Sequence, residues 1–169
     1  MKIRGARQFI AFTIAILATT VGHTAEVPSS LLADQPPSGA VSVVKARQAA
    51  KPGEAIVVRG KIGGRAVPLM DKAAIAVLVD EKAVAACNEN PADACKIPWD
   101  YCCERPEKLK AATATVQVRG ENGKVLRAPL RGLGGLKELS TVIVSGTIDA
   151  SSTKDSLVIN ATSIHVVAP

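Results

Sequence analysis

All four cysteines of this 169-residue chain, its single tryptophan and its single tyrosine fall within Cys87 to Cys103, in the pattern C-NENPADA-C-KIPWDY-CC. Thiols this concentrated can form two disulfides, hold a thiophilic metal, or exchange electrons. Four cysteines allow three disulfide pairings. Bonding Cys102 to Cys103 closes a strained ring that departs from normal disulfide geometry. That leaves Cys87 and Cys95 each paired with one of Cys102 and Cys103. Either arrangement closes loops of roughly 8 to 17 residues and stabilises by roughly 3 kcal/mol per bridge in the chain-entropy model. Four thiolates also suit a tetrahedral zinc ion, with Cys87, Cys95, Cys102 and Cys103 as the ligand set. Structural zinc sites, however, favour C-x2-4-C spacing, and the gaps here are seven, six and none. A redox role is less favoured still, since there is no C-x-x-C. Two disulfides and no bound cofactor are therefore the expectation, with metal or redox handling by the same cysteines as the alternative.

Trp99, Asp100 and Tyr101 lie between the last cysteines. Their rings suit either packing over the cysteines or a ligand platform with Asp100 as its polar contact, because aromatic side chains give rigid amphipathic area. Acid–base or nucleophilic catalysis recruits histidine, paired carboxylates or an activated nucleophile. His165 stands alone near the C-terminus, and no G-x-S-x-G, H-E-x-x-H or P-loop occurs. The chain reads as non-catalytic.

The elements that must position these residues begin after a leader. Lys2, Arg4 and Arg7 precede an apolar run from Phe9 to Val21 and then small residues, the pattern of a secretory signal peptide over residues 1–25, with cleavage after Gly22 or Ala25. The run is shorter than the about 20 apolar residues that span a bilayer, so no membrane partner is expected after cleavage. The leader holds three of the 21 basic residues and none of the 15 acidic ones, leaving a net charge of +3 on the rest. Both phenylalanines leave with it. The destination is the periplasm or the exterior, where disulfides persist.

Residues 26–39, with Pro28, Pro36 and Pro37, read as a flexible linker. Residues 40–169 read as one domain. Ala40 to Ala50 is a short helix, with Ser42 as N-cap and Lys51-Pro52-Gly53 as its stop. Period-two alternation then starts: Ile56, Val58, Gly60 and Ile62 on one face, Arg59 and Lys61 on the other. Ala73 to Val79 is a strand covered on both faces. Residues 81–111, containing the cysteines, have no period and form an insert. Ala112 to Arg119 alternates again, placing Arg119 outward. Asn122-Gly123 predicts a type I′ turn into an edge strand, Val125 to Leu130. Gly132 to Gly135 lacks the spacing of a phosphate loop and reads as a flexible connection, followed by one or two helical turns over Leu136 to Leu139. Val142 to Ile148 is the fourth strand. Leu157 to Val167 is the fifth, and its change of phase between Ala161 and Ile164 calls for a bulge.

Three strands, a small helix and two strands is the order of the OB-fold, a five-stranded Greek-key barrel. The all-β domain thus has a cysteine-rich insert between strands 2 and 3, one helix before the barrel and one between strands 3 and 4. The segments IVVRGKIGG, LKELSTVIVSGTI and LVINATSIHV resemble nucleic-acid-binding-type OB domains over Gly53 to Val167. The RGKIGG strand and the C-x7-C-x6-CC insert with PWDYCC resemble a family of exported bacterial OB-fold proteins that share that insert. The resemblance implies fold and export and brings no activity with it.

OB-folds bind oligonucleotides, oligosaccharides or protein segments across the strand 2–3 face. Arg59, Lys61 and Arg119, with Trp99, Asp100 and Tyr101, are the candidate ligand contacts. Single strands are held by stacked aromatics and a charged groove. These strands carry no aromatic, and +3 is a weak electrostatic footprint. A protein, glycan or small-molecule ligand is therefore favoured, and nucleic acid enters by analogy of fold alone.

Overall fold

The computed structural model describes residues 26–89, 92 and 94–168; the expected signal peptide lies outside them. A two-residue strand, β1 (Val41–Ser42), runs into helix α1 (Val43–Ala49), followed by β2 (Ala55–Ile62) and β3 (Ile75–Val79). The insert then carries helix α2 (Pro106–Ala111), and β4 (Thr113–Gln117), β5 (Thr141–Ile148) and β6 (Val158–Val166) complete the chain. Helix α1 starts where Ser42 accepts from the Lys45 amide at 3.4 Å. Its Val44 amide donates to the buried carboxylate of Asp80 at 2.8 Å. Burial acts to raise the Asp80 pKa, but the amides of Val44, Lys82 and Ala83 and the Ser42 hydroxyl outweigh it and hold the carboxyl below its ordinary value.

Five strands close on themselves. β2 pairs antiparallel with β5 from Ala55↔Thr147 to Lys61↔Thr141, and with β3 only at Lys61↔Val79 and Ile62↔Leu78. β3 pairs antiparallel with β4, β4 parallel with β6, and β6 antiparallel with β5. The circuit β2-β3-β4-β6-β5-β2 is a closed five-stranded mixed barrel of OB-like topology. Alternation supplies its filling: Val58, Ile62, Leu78, Ala114, Val116, Val142, Val144, Ile159 and Ile164 all point into one aliphatic core. The bulge on β6 is where the phase change requires it, since Ser145 faces Ser163 while Gly146 faces Ala161, leaving Thr162 unpaired. Gly146 itself has no room for a side chain, because a Cβ there would collide with the Asn160 carbonyl.

Five local expectations are corrected. Only Gly123 of the Asn-Gly pair has positive φ, 71°. The turn from Gly120 to Gly123 is closed by a 2.9 Å amide bond and precedes a single bridge, Arg119↔Val125, rather than an edge strand. A helix between the third and fourth barrel strands is present only as a 3-10 turn, Leu133–Gly135, while the longer α2 lies inside the insert. Gly132, Gly134 and Gly135 all have positive φ there, so the glycines form a defined turn. Finally, residues of the expected linker dock on the barrel: Leu31 is buried, the Ala33 amide donates to the Ile164 carbonyl at 2.9 Å, and His165 Nδ1 lies 2.8 Å from the Ala33 carbonyl.

A second core lies under the insert, built from Val79, Val84, Ala86, Tyr101 and Ala112. Tyr101 is 1 % exposed, and its hydroxyl has no hydrogen-bond partner among the described residues. The ring packs so closely on Gly63 that a Cβ at position 63 would stand 2.7 Å from Tyr101 Cε2. Beyond β4 and β6 a polar cluster ties the far end of the barrel. The buried carboxylate of Asp149 accepts from the Ser151 hydroxyl at 2.6 Å, the Ser151 amide at 2.9 Å, Asn160 Nδ2 at 2.8 Å and Arg119 at 2.8 Å. Those bonds, led by the Ser151 hydroxyl and amide, hold Asp149 well below the ordinary carboxylate range.

Two outcomes are expected. Tyr101→Phe removes an unsatisfied hydroxyl while keeping the ring, so in urea unfolding it should equal or exceed the parent stability by up to about 1 kcal/mol; a loss larger than that would show the hydroxyl to be satisfied. Asp149 has a folded pKa below its unfolded one, so its contribution is complete above an unfolded pKa of about 3.9 and fades as pH falls through the folded value. Asp149→Asn should therefore cost about 2 kcal/mol at neutral pH, with the gap to the parent narrowing under acid below about pH 4. A pH-independent gap would count against the charge.

Candidate functional site

Short-range hydrogen bonds hold the insert around Cys87 and around the Cys102–Cys103 pair. Cys87 opens a 3-10 turn, Cys87–Glu89, and its amide donates to the Pro98 carbonyl at 3.1 Å. Asp100 Oδ1 accepts from the Cys102 amide at 2.9 Å. The Glu104 amide closes the turn 101–104 on the Tyr101 carbonyl at 3.0 Å. Between those turns Tyr101 takes φ 58°, in the left-handed region that a bulky side chain rarely enters. The chain reverses there, so Tyr101 goes into the core while Cys102 and Cys103 stay exposed.

The result is one cluster of four sulfurs. Cys95 Sγ lies 3.4 Å from the Sγ atoms of both Cys102 and Cys103, Cys103 Sγ is 4.0 Å from Cys87 Sγ, and Cys102 and Cys103 are 3.9 Å apart. All four sulfurs lie within 4.8 Å of one another. None is at the about 2.05 Å of a disulfide, and all four are free thiols. The two disulfides expected from cysteine number and export are thus not what the structure contains: Cys95 stands equally close to two partners, a shared arrangement instead of a paired one. Burial opposes ionisation of Cys87, but the Cys103 amide and the other three thiols outweigh it and lower its pKa. Cys95 is pushed up by its hydrogen bonds to Cys102, Cys103 and Cys87. At Cys102 the Cys95 thiol acts to lower the pKa, while Asp100, burial and the other thiols prevail and push it up to about 11. Adjacent thiolates repel, so the cluster without a cation favours one ionised sulfur over four.

The other predicted contacts are committed elsewhere. Tyr101 is a core residue and offers no ligand surface. Trp99 is half-buried, its Nε1 donating to the Ala66 carbonyl at 3.1 Å, which fastens the insert to the β2–β3 loop. Arg59 pairs with Glu81 at 2.7 Å and Lys61 with Glu89 at 2.6 Å, so acidic residues of the insert neutralise the basic face of β2. Arg119 is held by Asp149 and Asn160. The structure brings the four cysteines together, spends Arg59, Lys61, Trp99, Asp100 and Arg119 on internal bonds, and buries Tyr101 in the core.

Sequence reasoning missed a shallow cleft of about 110 Å³ on the outer face of β3 and β4. Val77, Thr113 and Thr115 form its floor, and Gly64 and Arg65 of the β2–β3 loop form one side. Asp155 and Ser156 of the β5–β6 loop close the other, with Arg47 of α1 above. Arg47 donates to the Thr113 carbonyl at 3.0 Å and the Lys154 carbonyl at 2.9 Å. Arg65 is exposed and forms no ion pair among the described residues. The available signal was positional: outward residues of strands 2 and 3 and the loops beside them are where this barrel presents a face.

No family model matches the chain, and no curated protein matches it. Among solved structures, the chain is similar to the crystal structure of a putative aspartyl-tRNA synthetase from Leishmania major Friedlin, at 13% identity and a TM-score of 0.39. The match covers 86% of this chain and 23% of that one.

Proposed function

We propose that the chain is an exported, non-catalytic binding module of OB type, and that its ligand is an acidic glycan segment held in the cleft between β3, β4 and the β2–β3 and β5–β6 loops. The observation that supports this is the position and lining of the cleft. It sits on the strand face where barrels of this topology bind oligonucleotides and oligosaccharides, with Arg65 exposed at its edge, threonine at positions 113 and 115, and Ser156 opposite. Guanidinium groups suit carboxylates and hydroxyls suit sugar oxygens. The same lining argues against single-stranded nucleic acid, because the cleft holds no aromatic on which a base stacks. Export rests on residues 1–25, where a basic start precedes an apolar run.

Calorimetric titration of the chain without residues 1–25 tests the reading, using a tetra-uronide, a neutral tetrasaccharide and an oligothymidylate. The uronide should bind, the neutral sugar should bind more weakly, and Arg65→Glu should weaken the uronide on the order of tenfold, as loss and reversal of one charge-assisted contact implies. A uronide that does not bind, or that Arg65→Glu binds equally well, would overturn it. So would tighter binding of the oligothymidylate with a steep salt dependence.

A further inference from the structure

We propose that Cys87, Cys95, Cys102 and Cys103 bind one zinc ion as a closed tetrathiolate site that cross-links the insert and fixes its fold. This goes beyond the cleft and does not depend on it. The first argument is geometric. Zinc–thiolate bonds of about 2.3 Å in a tetrahedron place the sulfurs about 3.8 Å apart. The observed separations of 3.4, 3.4, 3.9 and 4.0 Å, with every pair inside 4.8 Å, fit a single ion at the centre of the four. A polynuclear cluster would interpose several metal ions and sulfides and needs its thiolates further apart.

The second argument is that the scaffold aims the sulfurs without help from their spacing in sequence. C-x7-C-x6-CC is not a usual zinc pattern, but the Cys87 turn is fixed by Pro98 and the Cys102 amide by Asp100. Tyr101, buried between them and the exposed pair, turns both adjacent cysteines outward toward Cys95. Charge gives the third argument. Binding replaces four S–H bonds with four Zn–S bonds and releases the thiol protons still present, leaving a site of charge −2. Cys102 and Cys103 are exposed, so water screens that charge. Four protein ligands fill the tetrahedron, so no position remains for water or substrate, and the site is structural. Engaged in zinc bonds, the thiolates are also shielded from oxidation in an oxidising compartment.

The test uses the full chain, exported by its host and isolated without reductant after any cleavage of the leader, alongside the same protein reduced, freed of metal and titrated with cobalt(II) and then zinc. Expected are four reduced cysteines and one zinc per chain in the isolated protein. Cobalt should give thiolate-to-metal charge-transfer bands and the intense d–d bands of a tetrahedral site at one equivalent, bleached by zinc. Cys95→Ser should weaken cobalt binding on the order of a hundredfold or more, while circular dichroism reports the barrel intact. Should that variant fail to fold, the cobalt stoichiometry and spectrum of the parent chain decide alone. An isolated protein lighter by four hydrogens and free of metal would overturn the proposal in favour of two disulfides. Octahedral cobalt spectra, or a Cys95→Ser variant that binds as the parent does, would overturn it as well.

Discussion

β2 is the strand that makes the barrel close, and it does so by pairing unequally on its two edges. Seven residues pair with β5, but only Lys61 and Ile62 pair with β3. The strand must bend from one neighbour to the other over a few residues. Gly60, buried at that bend, lies where a Cβ would stand 2.9 Å from the Val79 carbonyl oxygen and 3.1 Å from Val43. Past Ile62 the β2–β3 seam runs out at Gly63 and Gly64, where bare backbone is left to cover. The insert covers it. Its Trp99 carbonyl accepts from the Gly64 amide at 2.8 Å, and the Tyr101 ring lies on Gly63. The insert is therefore part of how the barrel is sealed.

An aliphatic core imposes a second condition. Among residues 26–169, Trp99 and Tyr101 are the only aromatics, so valine, isoleucine, leucine and alanine fill the barrel while one large ring fills the space under the insert. Apolar side chains alone do not orient the insert. Its acidic residues do, with Glu81 on Arg59 and Glu89 on Lys61. Each of these partly exposed pairs contributes little stability, but together they fix which side of β2 is covered. Arg65, just beyond the seam, is left exposed at the cleft edge.

What could be read from the sequence was what local periodicity encodes. Four of the barrel strands follow from alternation and β3 from a nearly continuous apolar run, and the bulge at Thr162 follows from Ala161 and Ile164 pointing the same way across an odd interval. Helix α2 has helix-terminal chemistry, with Pro106 at its first turn, Glu107 beside it and Lys108 and Lys110 in the last turn. At six residues it is too short to show a period. Leu31 and Leu32 are two apolar residues in a proline-rich stretch, and only the exposed edge near Ile164 explains their docking. The candidate contacts Arg59, Lys61 and Arg119 were correctly placed on outward faces; their partners Glu81, Glu89 and Asp149 come from 22, 28 and 30 residues away, a relation no alternation records. For the cysteines the sequence shows number and spacing, whereas the equal approach of Cys95 to two partners exists only in three dimensions.

The left-handed backbone at Tyr101 joins the barrel seal, the second core and the thiol cluster. A non-glycine residue there costs about 1–2 kcal/mol, and the structure accepts it because the reversal separates two jobs that adjacent residues could not otherwise share. Tyr101 faces inward and is buried with Val79 and Ala112; Cys102 and Cys103 face outward at the surface. The cluster thus runs from the buried Cys87 to the exposed Cys102 and Cys103 beside the Asp100-capped turn, while the Tyr101 ring packs on Gly63. The Tyr101 ring packs the insert on the barrel, and the thiol cluster draws the chain around Cys87 and Cys95 to the same place.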